Sequence, residues 1–555
     1  MSVGGSLEKK IITSALPYSY SIPHLGNFVG SILPADVYFK YSMMNGDDAI
    51  FISGSDQHGT PIELKAIEEK KDPENLSNEI HAEIKDLFER FGCTFTYYGK
   101  THTDYNKEVV YSVFDALYKK GYILEIEGEQ AYCNIDKRFL LDRFIEGRCP
   151  HCGGRARGDQ CDDCGKLLEP TQIIDPICNL CKRKEIVFKH VKNLAVDLAK
   201  LQPKIKSFIE KNSKNNWSKN AVNKSLSYID EGLKPREITR NIKWGFPVPK
   251  KGFEDMVFYV WFDAFLGYIG ITKEWDSERW KDYWLDQKTR LIQVMGKDNI
   301  EFHTLMWPGV LIGSEMGFIL PYTIKASEYL TSKTIKFSKS RGVGLNLKSA
   351  IEILEPDYWR FVLMYLYPET ADSEFSAELL EEIVNTVMND KVGNFVQRAL
   401  KIFASNRASV GEKMQLDDDT RKKAEEIISS YKTNFEKMNL REALHSAVEL
   451  ASLGNSILST KEPWLLIRKG DQVSLKEFSE TISSLIVLVH HLSLLLWPFV
   501  PTSSMEVLSY FGIFHEPDFK LLEADVSVVK ELDPRPIFRK MGKDEIARLE
   551  QFSGK

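Results

Sequence analysis

The chain opens on a strand that runs straight into a helix start: Ile11-Ile-Thr-Ser-Ala-Leu-Pro-Tyr-Ser-Tyr-Ser-Ile-Pro-His-Leu-Gly-Asn27. Ile11 to Leu16 is a short apolar run that reads as a buried strand. Pro17 ends it, and Val29, Ile32, Leu33 and Val37 then recur at helical spacing. This unit constrains the fold more than any other feature, because a glycine-containing turn at a helix N-terminus attracts anions through its N–H groups and its dipole. Gly26 lets a base or ribose approach the backbone closely, and His24 and Asn27 add side-chain donors at the same end. The pattern returns twice. Ala49-Ile-Phe-Ile-Ser53 is a second buried run, followed by Gly-Ser-Asp56-Gln-His58. Arg290-Leu-Ile-Gln-Val-Met295 is a third, ending at Gly296-Lys-Asp298. Open parallel sheets bind ligands at the C-terminal ends of such strands, which places Asp56 and His58 well and suits Asp298 to a ribose hydroxyl. There is no G-x-G-x-x-G and no P-loop, so a nucleotide would be held by another version of this fold.

A chain of 555 residues is too long for one core, and three or four domains are expected. The net charge of −6 rules out a blanket basic footprint, so nucleic-acid contacts would use local patches. No apolar leader begins the sequence, which predicts a cytoplasmic protein. The most apolar stretch, Leu485 to Val500, contains His490, His491, Ser493 and Pro498 and reads as a core helix rather than a membrane span.

Six of the eight cysteines lie between Cys149 and Cys181. Without a secretory leader, C-x-x-C pairs point to metal rather than disulfides. Cys149-Pro-His-Cys152 and Cys161-Asp-Asp-Cys164, each followed by glycine, have the spacing of a closed four-thiolate Zn²⁺ site. Cys178-Asn-Leu-Cys181 is a third knuckle, for which Cys133-Asn-Ile-Asp136 is a candidate mate in a second site. Protein groups fill every position, so both sites read as structural. Phe258-Tyr-Val-Trp-Phe262 is strand-like, with a helix expected from Asp263. From Leu379 onward apolar residues recur at three and four, as in Leu380, Ile383, Val384, Val387, Val392, Phe395 and Ala399, which predicts a helix bundle.

Far down the chain lies Lys336-Phe-Ser-Lys-Ser-Arg-Gly342. Together with His24-Leu-Gly-Asn27 it resembles the KMSKS and HIGH signatures of class I aminoacyl-tRNA synthetases. Ala15-Leu-Pro-Tyr18, Gly54-Ser-Asp-Gln-His-Gly-Thr-Pro61, Phe258-Tyr-Val-Trp-Phe-Asp-Ala264 and Gly296-Lys-Asp-Asn-Ile-Glu-Phe-His303 narrow the resemblance to the methionyl-tRNA synthetase family, from about Lys10 to about Thr502. The resemblance implies an α/β protein: a Rossmann-like class I catalytic domain carrying an inserted zinc-knuckle domain, then an all-α anticodon-binding bundle. The expected divisions are 1–121 and 235–325 for the two catalytic halves, 122–234 for the insertion, 326–378 for the KMSKS-bearing stem-contact region and 379–555 for the bundle. It implies methionine activation by ATP and transfer to tRNA(Met). His24, Asn27, Lys336 and Lys339 would act on the triphosphate with Mg²⁺, and Gly26, Gly296, Asp298 and Lys339 would hold ATP. Leu16, Tyr18, Asp56, Trp261, Ala264, Tyr268, Phe302 and His303 would hold methionine, with Asp56 at the α-amino group. Asn394, Arg398 and Trp464, in Lys461-Glu-Pro-Trp464, match anticodon-reading positions. The sequence departs from the common pattern at Asn27, where relatives carry histidine, at Phe337 in place of methionine, and at Tyr20. No appended C-terminal tRNA-binding domain follows, which predicts a monomer. Leucine, isoleucine and valine enzymes share both signatures but need a much larger editing insertion. A cysteine enzyme would place zinc ligands at its amino-acid pocket, and a bare zinc-knuckle RNA-binding module would not carry both signatures.

Overall fold

The structure is a computed structural model. It describes residues 8–141, 144–158, 161, 164, 168, 170–332, 335–336, 345–529 and 533–553, without the side chains of 332, 335, 336 and 550–553. At the centre is a five-stranded sheet in the order Pro321–Ser327, Arg290–Gly296, Lys9–Ser14, Asp48–Ser55, Tyr97–Lys100. Every neighbouring pair is parallel. The first strand is therefore the middle one. The chain fills one edge, leaves for the insertion, and returns to fill the other. The order reverses between Lys9–Ser14 and Arg290–Gly296, which is where a doubly wound sheet opens a ligand crevice. Helices cover both faces, so Ile11, Ile12, Phe51, Ile52 and Leu291 are almost wholly buried.

The first strand stops at Ser14 rather than Leu16, although Ala15 still donates to the Val294 carbonyl at 3.0 Å. A larger correction concerns Phe258–Phe262. Only Val257–Phe258 is strand, and the helix Val260–Trp275 has already begun at Val260. This helix is buried on nearly every side from Phe262 to Thr272. An apolar run of that kind shows no helical stripe, and it reads like a buried strand.

The insertion leaves on two long antiparallel strands, Ile123–Cys133 and Ile186–Val196, paired along their full length. A small three-stranded sheet and the cysteines sit at their far end. Beyond residue 377 the chain is mainly helical, with the long helices Asp418–Glu436, Leu440–Lys461 and Gln472–Leu496 at its heart. The last is long and apolar enough to cross a membrane, but 89% of its most apolar window is buried inside the protein. One apolar core runs without a break from Ile12 and Phe28 through Trp359 to Phe435 and Leu488.

A buried charge cluster lies in that continuous core. Asp36 accepts from Lys40 Nζ at 2.6 Å, from the Thr94 N–H at 2.7 Å, and pairs with Arg360 at 2.7 Å. Arg360 in turn donates to the carbonyls of Phe91, Pro498 and Phe499. One carboxylate on the helix Leu33–Asn45 thus holds the helix Pro356–Tyr365 and the end of the last long helix.

His490 and His491 are buried in the bundle core, their Nδ1 atoms 3.2 Å apart. Burial pushes them down to about 4 and about 3. Their folded-state values lie below the ~6.5 of an unfolded histidine, so their contribution is complete above ~6.5 and is lost as pH falls toward 4. Stability should drop by about 1.4 kcal/mol per pH unit for each such histidine below pH ~6.5. Denaturant unfolding of the His491→Asn variant between pH 6.5 and 4.5 should show a shallower pH slope than the parent protein; an equal slope refutes this origin.

Candidate active site

The first motif lies just beyond the end of the middle strand. His24 caps the helix that follows: its Nδ1 accepts the Asn27 N–H at 3.1 Å, while Asn27 Oδ1 accepts the His24 N–H at 3.4 Å. Because Nδ1 is an acceptor, the neutral ring carries its proton on Nε2. Asn27 completes this reciprocal cap, a role that asks for a short polar side chain and not for a charge. Phe28–Ile32 then forms a π-helical turn, a local irregularity that often marks functional sites. The chain immediately after the second motif is stitched to the first. Leu25 N–H donates to Leu345 O and Leu347 N–H to Pro23 O, both at 3.0 Å, and His24 and Asn346 form an antiparallel bridge. The first signature and the segment that follows the second, some 300 residues apart in the chain, are thus joined. Lys336 ends a short strand, Ile335–Lys336. Its side chain, and the whole of Lys339, lie outside the described residues.

Gly26 is half-buried in the capped turn. At Gly296 a Cβ would project into open space, leaving room for a ligand to lie against the backbone. Asp298 follows in a short 3₁₀ turn and accepts from the Tyr329 hydroxyl.

The aromatic candidates converge beside these groups. Trp261 and Phe302 stack with centroids 3.9 Å apart and planes 5° from parallel, and Tyr18 meets Trp261 edge-on at 6.2 Å. All three are only half-buried, so they line a cleft rather than fill a core. Beneath them Tyr268 and His303 are buried. His303 Nδ1 donates to Asn299 O at 2.9 Å, because a carbonyl can only accept. Its Nε2 is then the acceptor for the Tyr268 hydroxyl at 3.1 Å. Burial pushes His303 down to about 4, in keeping with this neutral tautomer. Phe302 and His303 sit on a second π-helical turn, Phe302–Met306. Leu16 is half-buried and Ala264 is buried. Asp56 bridges Tyr18 and accepts the His58 N–H at 3.1 Å. Burial, and next the charge of Asp263, push the Asp56 carboxyl up.

Sequence reasoning missed one group. The His58 ring lies between Asp263 and His102, with Nδ1 against Asp263 Oδ2 and Nε2 2.7 Å from His102 Nδ1. His58 and Asp263 stood in motifs already singled out. His102 carried no local signal, because only the fold brings it there.

Tyr268→Phe would leave the buried His303 Nε2 without a donor. The expected loss is about 1–3 kcal/mol of stability, read from denaturant unfolding of the variant; a loss below 0.5 kcal/mol would contradict the bond.

The cysteines gather into two clusters. In one, Cys149 and Cys164 Sγ are 3.9 Å apart and Cys152 and Cys161 Sγ are 3.5 Å apart. In the other, Cys133 lies 3.6 Å from Cys181, and Cys178 donates to Asp136 at 2.9 Å. Each set of four ligand atoms lies within 4.8 Å of one another. Sulfurs bound at ~2.3 Å around a tetrahedral ion sit about 3.8 Å apart, so both donor sets fit such an ion. Backbone N–H groups of His151, Cys164 and Asp136 point at ligand sulfurs, as knuckle turns require. The second cluster, irregular in sequence, is as compact as the first.

In the bundle, the Arg398 guanidinium lies 5.5 Å over the Trp464 ring. Trp464 is half-buried, and Asn394, also half-buried, lies one turn before Arg398 and donates to Asp390 at 3.4 Å.

A doubly wound parallel sheet with the His24–Asn27 signature at its switch point, in a chain that also carries Lys336-Phe-Ser-Lys-Ser, has the marks of a class I aminoacyl-tRNA synthetase, and residues 10–400 match the family of tRNA synthetases class I (M). Residues 408–555 match the anticodon binding domain of methionyl tRNA ligase. The methionine–tRNA ligase of Pyrobaculum islandicum is 39% identical over 549 residues, covering 97% of this chain and 95% of the relative. That of Thermofilum pendens is 40% identical over 555 residues, covering 97% and 96%. The fold is also that of Mycobacterium tuberculosis methionyl-tRNA synthetase bound by methionyl-adenylate, with a TM-score of 0.80 at 21% identity over 96% of this chain and 100% of that one. The chain belongs to the methionine–tRNA ligase family.

Proposed function

We propose that this protein activates methionine with ATP and transfers the methionyl group to the 3′ end of tRNA(Met) as a cytoplasmic monomer. One observation carries the reading: a half-open aromatic cleft over a neutral His303–Tyr268 floor, with the buried Asp56 and the open Gly296 edge beside it. Methionine is unbranched with a polarizable sulfur, and aromatic walls suit it. Trp261, Phe302 and Tyr18 grip the side chain, with Leu16 and Ala264 alongside. The neutral floor carries no charge to strand against a thioether. Asp56 takes the α-ammonium, which turns the carboxylate toward the α-phosphate. Asp298 holds the ribose, and Gly26 and Gly296 let the nucleotide lie against the backbone. Two anions must meet in this reaction, so it needs positioning and charge stabilisation more than covalent help. The Nε2–H of His24, with Asn27, Lys336 and Lys339, supplies donors for the triphosphate. Mg²⁺, when bound, neutralises the β- and γ-phosphates. Purified protein should catalyse ATP–pyrophosphate exchange with methionine and with no other standard amino acid; exchange driven equally well by leucine or isoleucine would overturn the assignment.

Zn²⁺ in the two cysteine clusters fits a structural role in folding the insertion. Elemental analysis should return about two equivalents, the number of four-ligand sets. Asp136→Ala should bring this to about one while Cys149–Cys164 stays loaded. A parent protein with less than half an equivalent would count against both sites.

Trp464, with Arg398 across its face and Asn394 nearby, is suited to stack on a splayed anticodon base. Such stacking is worth about 1–3 kcal/mol. Trp464→Ala should therefore lower tRNA charging roughly 10–100-fold. Pyrophosphate exchange, which needs no tRNA, and the melting temperature should hold. Exchange falling in parallel with charging would mean that Trp464 is a packing residue.

A further inference from the structure

Two carboxylates are buried side by side under the proposed methionine site, and only one of them has a task there. Asp56 is 3% exposed and Asp263 is fully buried. Two such groups cannot both ionise in one site without a compensating charge. Asp263 sits in the first turn of the helix Val260–Trp275, whose dipole favours its anion but brings no proton.

His58 stands between the two. Its backbone N–H donates to Asp56 Oδ1 at 3.1 Å, while its ring turns the other way, Nδ1 to Asp263 Oδ2 and Nε2 to His102 Nδ1 at 2.7 Å. The Phe246 and Trp244 rings hold the imidazole edge-on at 4.7 and 5.6 Å, and both also pack on His102. Gln57, between Asp56 and His58, is pinned through its own N–H to the Thr101 hydroxyl at 2.9 Å. Four segments therefore fix one imidazole: the end of Asp48–Ser55, the loop carrying Trp244 and Phe246, the start of Val260–Trp275, and the loop after Tyr97–Lys100.

We propose that His58 and Asp263 are positioning residues for methionine activation: sharing one proton, they cancel the Asp263 charge and leave Asp56 the single net negative group facing the α-ammonium. This rests on the reading of Asp56 given above. The proton belongs to the pair rather than to either atom. In the loaded state His58 Nε2–H donates to His102 Nδ1. When the proton leaves, His58 keeps Nδ1–H toward Asp263, and its Nε2 accepts from His102 Nδ1–H. Both states keep both hydrogen bonds, so charge changes without a change of shape. His102, half-buried, is the exit toward solvent. The other groups that bear on the chain are Tyr268 beside Asp56, and Glu74, Lys100 and Lys107 around His102. Burial and the nearby charge of Asp263 both push Asp56 up, so any unneutralised Asp263 charge favours the protonated, inactive form of Asp56.

The test is a charge rescue, read in methionine-dependent pyrophosphate exchange from pH 5.5 to 9. His58→Asn keeps an N–H for Asp263 but cannot carry the proton. Methionine KM near neutrality should rise roughly ten- to hundredfold, the scale of a like charge a few ångströms from a carboxylate. The acid limb of its pH profile should move to higher pH, with ATP KM within about twofold, since no ATP-facing group is touched. The double variant His58→Asn with Asp263→Asn removes both charges, and should recover at least about a tenfold part of that loss. A double variant worse than either single one overturns the proposal, because a packing role predicts added damage. If His58→Asn does not fold, Asp263→Asn alone decides: the pair is already neutral in the parent, so its acid limb should stay in place and its methionine KM within about twofold, and a limb moved to higher pH or a roughly tenfold higher KM overturns the proposal. Asp56→Asn separates this inference from the reading beneath it. Unchanged methionine KM in Asp56→Asn refutes the role of Asp56 itself. A raised KM there, with His58→Asn like the parent, refutes the His58–Asp263 role alone.

Discussion

The geometry of this molecule depends on a buried carboxylate that has no place in the chemistry. Asp36 is fully buried, and so are Arg360 and Lys40, which bind it. Such a cluster costs several kcal/mol per ion to desolvate, and removing one partner typically costs about 3–5 kcal/mol. The structure holds it by meeting the charges from all sides, through the Thr94 N–H and the carbonyls of Phe91, Pro498 and Phe499. Its effect is positional. The helix that begins at the His24 cap is locked both to Pro356–Tyr365 and to the end of the longest bundle helix. The ligand edge of the sheet and the bundle are therefore built on one anchor.

The site itself keeps its polar groups in defined protonation states by burial. His303 is made neutral and used as an acceptor, and His24 is made a donor at Nε2 by its own cap. Asp56 and Asp263 are the exception, two acids in one dry place with a histidine between them. The insertion joins this region through a further ion pair, Arg138 to Glu63, where Glu63 lies on the helix that follows His58 and Gly59. The cysteine clusters are thereby mechanically connected to the site without contributing to it.

Much of this was legible in the residues. Apolar runs ending in Pro17, in Gly54-Ser-Asp56 and in Gly296 marked three central strands, because strands buried on both faces leave no polar alternation and stop abruptly. The reading failed where burial was too complete: from Val260 to Thr272 every residue but Trp261 is buried, so the start of the helix looked like strand. It was also blind to groups assembled only by folding. His102 meets His58 across 44 residues, and Asp263 meets it across 205, and no local spacing encodes either distance. Asp136 was the weakest metal candidate by pattern and proves well placed in space. The roles of Lys336 and Lys339 came from residue order alone.

The unbroken apolar core between sheet and bundle has a mechanical meaning. Phe28, Trp359, Phe435 and Leu488 belong to one packed interior, so the junction is not a hinge. An enzyme that must touch a folded RNA at two remote points can do so with a flexible joint or with a fixed span. This molecule has the fixed span, like a caliper set once; on the function proposed above, the Arg398–Trp464 pair would be one jaw and the Gly296 edge the other. An RNA with the right bases at the wrong separation would fit one jaw and miss the other, so length itself becomes part of recognition.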